Sequence, residues 1–130
     1  ANLVVRYRDG RIVLVDFGVV KLMDGLEQTR LALGGYRAPE QLNGQTFPQS
    51  DFFGLGATLL YLLTGEDPAR LHRYQPQSAK YYREKIPGIA LPMAEVLGHL
   101  LHPNPSDRYA TVREVSQGLK IAQSAFPPKW

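Results

Sequence analysis

Two short groups of residues could do chemistry. Asp16-Phe17-Gly18 sets a carboxylate at the end of a run of β-forming residues, and Asn2 sets an amide oxygen at the start of the run before it. A carboxylate and an amide oxygen held together suit a hard divalent cation, Mg²⁺ above all. Such an ion takes one or two oxygens from protein and the rest from phosphate and water. Taken singly, each residue has a plainer reading: Asp16 as a turn residue ahead of Gly18, and Asn2 as an ordinary residue at a strand start. The second group is Ala38-Pro39-Glu40, 22 positions after Asp16, with Arg108 far downstream in Pro105-Ser106-Asp107-Arg108-Tyr109. His72, His99 and His102 lack metal-ligand spacing and are expected in surface or core roles.

The elements that must position these groups can be read in order. Residues 3–7 and 11–15 are β-rich and flank Arg8-Asp9-Gly10, which predicts a hairpin. A two-residue turn at Asp9-Gly10 pairs positions summing to 19; a three-residue loop with Gly10 left-handed pairs positions summing to 18. The second register is favoured, because it sets Asn2 directly opposite Asp16. Residues 16–36 lose periodicity and contain Gly18, Gly25, Gly34 and Gly35, an irregular stretch of the kind that carries function. Pro39 opens a short helix that Asn43-Gly44 ends. Ser50-Asp51 is read as the cap of a helix over residues 52–64, closed by Gly65. That helix is apolar on every face yet too short to span a bilayer, so it is expected to be the buried axle of the domain. A weak helix over 78–85, an amphipathic helix over 92–101 and a last helix opened by a capping box at Thr111-Val112-Arg113-Glu114 complete the chain.

Composition narrows the function classes. A chain of 130 residues with 44% hydrophobic residues makes one domain with a real core. Its net charge of +3 is scattered, with no Lys/Arg run, which argues against a nucleic-acid binder. The absence of cysteine removes disulfides and thiolate metal sites and fits a reducing compartment, so a cytoplasmic location is expected. No signal sequence or long apolar span is seen, and no membrane contact is expected of this segment. The opening Ala1-Asn2-Leu3-Val4-Val5 runs straight into strand-like sequence, as though continuing a longer chain.

These residues resemble a protein kinase of the bacterial Ser/Thr type, from the end of the catalytic loop onward. Asp16-Phe17-Gly18 matches the metal-binding triplet that opens the activation segment, and Ala38-Pro39-Glu40 the triplet that closes it. Asn2 matches the last residue of the catalytic loop, and Ser50-Asp51-Phe52-Phe53-Gly54-Leu55-Gly56 the start of the central helix. The resemblance runs from Asn2 to about residue 119. It implies an α+β, mostly α fold: a partial kinase domain over 1–125 made of one N-terminal hairpin and the helical C-lobe, with a tail at 126–130 and the N-lobe absent.

The resemblance also implies roles. Asn2 and Asp16 would hold Mg²⁺ on ATP, and Val4 would lie under the adenine ring. Leu33, Gly34, Gly35 and Tyr36 would shape the groove for a protein substrate. Glu40 and Arg108 would form a buried ion pair that fixes geometry, and Asp51 would hold the catalytic-loop backbone besides capping its helix. Thr29 would be a phosphosite, although it reads equally well as a plain loop residue. The partners implied are a protein substrate and the N-lobe and upstream half of the C-lobe of the same protein.

Two departures matter. The catalytic aspartate of the family would lie upstream of Ala1, so no catalytic residue is assigned in this chain and the isolated 130 residues are expected to be inactive. Ser/Thr kinases usually carry Gly-Thr where this chain has Ala32-Leu33, and leucine cannot supply the threonine's hydrogen bond to that aspartate. This departure favours the alternative of a pseudokinase or kinase-derived binding module; the intact Asn2 and Asp16 favour the enzyme. The helix that covers one side of the central helix in the family would also lie upstream. The isolated chain is therefore expected to bind a hydrophobic dye or self-associate, and light scattering from a clean monomer would contradict this.

Overall fold

The computed structural model describes residues 2–15 and 35–125 (the backbone alone for 2–5 and 13–15). Its first element is the expected hairpin. Strands β1 (Asn2–Val5) and β2 (Ile12–Val15) pair antiparallel. The register differs from the expected one: Asn2 lies opposite Val15, Leu3 opposite Leu14, Val4 opposite Val13 and Val5 opposite Ile12, so that paired positions sum to 17. The loop is responsible. Arg6 N–H donates to the Arg11 carbonyl at 2.7 Å and Gly10 N–H to the Arg6 carbonyl at 2.8 Å, enclosing residues 7–10. Asp9 holds this longer loop shut by accepting from Arg11 N–H at 3.1 Å and pairing with the Arg6 guanidinium. Gly10 is left-handed at φ +69°, as read from the sequence. The added loop residue shifts Asn2 off Asp16, which itself lies outside the described residues, as do Thr29, Leu33, Gly34 and the tail at 126–130.

The rest is helical: α1 (Pro39–Leu42), α2 (Pro48–Thr64), α3 (Pro68–His72), α4 (Ala79–Lys85), α5 (Leu91–Leu100), a 3₁₀ turn (Pro105–Asp107) and α6 (Val112–Ser124). With the hairpin, this is the mostly helical α+β fold anticipated. Among the described residues no helix is long and apolar enough to cross a membrane.

Helix α2 starts four residues before the position read from the sequence. Pro48 occupies its first turn, where a missing N–H costs nothing, and Phe47 is the N-cap. Ser50 therefore caps from inside the helix, its hydroxyl accepting from Phe47 N–H at 3.0 Å. Asp51 is not the cap. It is an exposed residue of the first turn, where a negative charge suits the helix dipole. Gly65 ends the helix in the left-handed region at φ +70°, as expected. At α6, Thr111 accepts from Glu114 N–H at 3.2 Å, while Glu114 reaches back to Ala110 N–H at 2.7 Å rather than to the cap itself.

Two apolar clusters flank α2. One gathers Phe53, Ala57 and Leu60 with Leu71, Tyr82, Ile86, Ala94 and Leu97; the other gathers Val96, Leu100, Val115 and Ala122 with the half-buried Phe52, Leu55 and Leu59. The axle is not buried all round. Tyr61, Leu62 and Leu63 are 47%, 59% and 43% exposed, so its C-terminal end stands in solvent on more than one face rather than along one side.

Where α2 crosses α5 the backbones approach over Gly56. A Cβ there would lie 2.8 Å from Leu100 Cβ and 2.9 Å from Leu101 Cγ. Gly56→Val is expected to lower stability by about 2 kcal/mol or more through overpacking. The urea unfolding midpoint checks this, and an unchanged midpoint would show that the crossing has room to spare.

Candidate functional site

The best-defined polar site of the described residues is built around Glu40, in the first turn of α1. Its carboxylate meets the Arg108 guanidinium in a two-pronged pair, Nη1 to Oε1 at 2.7 Å and Nη2 to Oε2 at 2.9 Å. Both side chains are nearly sealed from solvent. The Ser50 hydroxyl donates to Oε1 at 2.8 Å, joining the α2 start to the pair. Arg108 spends its other donors on backbone carbonyls: Nε on His102 at 2.7 Å, Nη1 on Gln49 at 2.9 Å and Nη2 on Pro103 at 3.3 Å. All five guanidinium N–H groups thus have partners, and Lys could not replace that planar fork. The guanidinium also stands over the Phe53 ring, 5.1 Å from its centroid.

Electrostatics agrees with the geometry. Burial pulls the Glu40 carboxyl upward, but the hydrogen bonds from Arg108, its own backbone and Ser50, with the Arg108 charge, outweigh burial and hold it below the ordinary value.

A few residues before Glu40 the chain is held a second time. Gly35 is buried, and a Cβ on it would come 2.7 Å from Asp67 Oδ1 and 2.8 Å from the Ala69 nitrogen at the start of α3. The Gly35 carbonyl accepts from His72 Nε2 at 2.8 Å, while His72 Nδ1 accepts from Tyr74 N–H at 3.1 Å. These partners fix one tautomer, with the proton on Nε2. Burial pushes the His72 pKa down, against smaller upward pulls from the Gly35 carbonyl and Asp67. Tyr36 is half-buried beside this contact. Its hydroxyl is pushed up by burial and then by the neighbouring Tyr61 and Asp67.

Those residues expected from sequence that the structure describes fall into two sets. Gly35, Tyr36, Glu40 and Arg108 stand in one described body of helices, with Asp51 at the start of α2. Asn2 and Val4 stand in β1, opposite Val15 and Val13. Ser50, Asp67 and Tyr74 were not anticipated as parts of a site, and His72 was assigned only a background role. For α3, the Asp67-Pro68 pair was a readable start signal, with Asp67 Oδ1 accepting from Ala69 N–H at 3.0 Å. For His72 no signal existed, because its partner is a backbone carbonyl 37 positions away.

The buried Glu40–Arg108 pair is the one that the resemblance to a kinase C-lobe implied. The comparisons agree. A model of the protein kinase domain matches residues 1–119, and the chain belongs to that family. Serine/threonine-protein kinase PknA of Nostoc sp. is 32% identical, the match covering 98% of this chain and 24% of that protein. Serine/threonine-protein kinase F of Synechocystis sp. is 35% identical over 95% of this chain and 27% of that protein, and PknJ of Mycobacterium tuberculosis 31% identical over 88% and 22%. The chain thus spans about a quarter of the length of these relatives. No solved structure matches it.

Removing one partner of the buried pair leaves an uncompensated charge, so Arg108→Met and Glu40→Ala are each expected to cost about 3–5 kcal/mol, measured by denaturant unfolding. Replacing both with apolar residues is expected to cost less than the two losses summed, because no buried charge then remains.

The pH dependence has a definite sign. Glu40 and His72 are both held below their ordinary values of 4.5 and 6.5. The unfolded chain therefore takes up protons that the folded chain refuses, and stability falls as pH drops. The His72 contribution is complete above pH 6.5 and declines below it; the Glu40 contribution is complete above 4.5 and is lost below that. Thermal melts across pH 3–8 check this, and a midpoint that rises on acidification would refute it.

Proposed function

We propose that this chain is the activation-segment and C-terminal helical part of a protein serine/threonine kinase, which transfers the γ-phosphate of ATP to Ser or Thr hydroxyls of a protein substrate. The observation that carries the reading is the Glu40–Arg108 pair. It anchors the triplet that closes the segment to the helical body at the positions where the resemblance puts it. The serine/threonine kinases named among the relatives support the same class.

Asn2 and Asp16 are the residues we assign to Mg²⁺. Their oxygens are the hard donors this ion takes, and Asn2 sits at the open end of the ribbon opposite Val15, after which the chain continues directly to Asp16. The ion would neutralise developing phosphate charge; the protein's part is positioning. Val4 would form the apolar floor under the adenine. Leu33, Gly34, Gly35 and Tyr36 would shape the groove for the substrate peptide, and Asp51 would steady the catalytic-loop backbone. Thr29 is the residue we propose for phosphorylation, which adds charge that an arginine could order. The N-lobe and the upstream half of the C-lobe of the same protein would complete the site in the cytoplasm.

Residues 1–130 contain no His-Arg-Asp triplet, and we expect this polypeptide alone not to transfer phosphate. The Ala32-Leu33 departure favours a second reading, a pseudokinase or kinase-derived binding module. An aspartate in an H-R-D-x-K sequence ahead of Ala1 separates the two in favour of the enzyme.

In the full-length protein Asp16→Asn is expected to lower transfer to a Ser/Thr protein substrate by about 100-fold or more, with circular dichroism unchanged. Labelled-phosphate transfer measures this, and a variant as active as the parent would remove Asp16 from the site.

A further inference from the structure

The contact between His72 and Gly35 has features that packing alone does not require. His72 is completely buried, yet both ring nitrogens are committed, Nε2–H to the Gly35 carbonyl and Nδ1 to Tyr74 N–H. The chain after it is strained to make this fit. Arg73 and Tyr74 are consecutive non-glycine residues in the left-handed region, at φ +48° and +54°. Such conformations persist only where surrounding structure overrides their cost, and they gather at functional sites. What overrides it here is the stacking of Tyr74 on Phe53, with centroids 5.9 Å apart and planes 6° from parallel, and the Tyr74 N–H bond back to His72. On the other side Gly35 presses so closely on Asp67 and Ala69 that no side chain fits. Five-residue α3, with its cap and its strained exit, is shaped around one carbonyl.

We propose that His72 is a positioning residue for the substrate groove: by holding the Gly35 carbonyl from Nε2 it fixes the backbone direction at which Tyr36 enters the groove. This deepens the reading of Gly35 and Tyr36 given under the proposed function and rests on it. His72 touches neither nucleotide nor peptide hydroxyl in this scheme. It sets where the peptide lies, so its loss appears in peptide affinity rather than in turnover. The ring must be neutral for Nδ1 to accept; among the described residues Asp67 before it, Tyr74 after it, Tyr36 next to Gly35, Arg37 near Tyr74 and Arg108 over Phe53 are ionisable groups in this region.

Three substitutions divide the role. His72→Gln can still donate from the Nε2 position to Gly35 but gives up Tyr74. His72→Asn can still accept from Tyr74 but is too short for Gly35. His72→Phe fills the space and does neither. In the full-length protein, the Asn and Phe variants are expected to raise the peptide KM about tenfold, with kcat and the KM for ATP within twofold of the parent, while the Gln variant stays near the parent. Amide hydrogen exchange at residues 36 and 37 is expected to quicken in the Asn and Phe variants and not in the Gln variant.

Equal behaviour of the Gln and Asn variants, or kcat and peptide KM moving together, overturns the proposal. If the Phe variant does not fold, the Gln–Asn contrast decides alone. A parent protein that phosphorylates no peptide, but whose exchange at 36 and 37 follows the expected order, overturns the proposed function and leaves the hold of His72 on the Gly35 backbone standing. Exchange that ignores the substitutions overturns that hold itself.

Discussion

The pairing of Glu40 with Arg108 is the constraint on which the helical body turns. Two full charges have been taken out of water, and the desolvation is offset only because every N–H of the guanidinium finds an oxygen and the carboxylate receives a further bond from Ser50. Such a pair adds little net stability compared with a well-packed apolar pair. What it adds is uniqueness. The arginine cannot be satisfied unless the α1 turn, the carbonyl before Ser50 and the loop at 102–103 are all in place together. Two neighbouring stretches and a third more than fifty residues on are thereby fixed to each other before any side chain of the groove is considered.

Helix α2 is the member that all of this is fastened to, and its composition explains how it can be. Small residues, Gly54, Gly56 and Ala57, line the buried side, where α5 approaches closely at Gly56, while Phe53 and Leu60 supply bulk where the first cluster needs it. The apolar residues that do not fit either cluster emerge at the C-terminal end as Tyr61, Leu62 and Leu63. A helix apolar on all faces therefore marks two things at once: a face buried in the two clusters and a C-terminal end that stands in solvent.

Much of this was legible from the sequence, and the failures have local causes. Asp9-Gly10 identified the hairpin and the left-handed glycine, but not that Asp9 would bond Arg11 N–H and Arg6 and so hold a four-residue loop; one added residue moves every cross-strand pair. Ser50 was rightly read as a capping side chain and wrongly placed, because Pro48 can begin a helix and a serine can cap from within. The Glu40–Arg108 pair was legible only through family resemblance, since nothing in spacing joins residues 68 positions apart. His72 was rightly expected in a surface or core role, and it is fully buried, but its bond to Gly35 was not legible. A histidine bonded to a main-chain carbonyl leaves no complementary residue type for a reader of sequence to find.

The two fastenings of the segment are not independent of each other. Gly35 is held from α3, and Glu40 from the loop after α5 and from Ser50 at the start of α2. Yet both meet one ring. Arg108 lies over Phe53, His72 meets it edge-on at 5.1 Å, and Tyr74 stacks parallel to it. Phe53 is fully buried, so it cannot move to favour one fastening without disturbing the other. The side chain that holds Gly35 and the side chain that holds Glu40 thus pack against the same apolar ring. The shared contact needs no polar relay between the two sites: one aromatic ring, with a cation on its face and a histidine at its edge, packs against both fastenings of the bracketed segment.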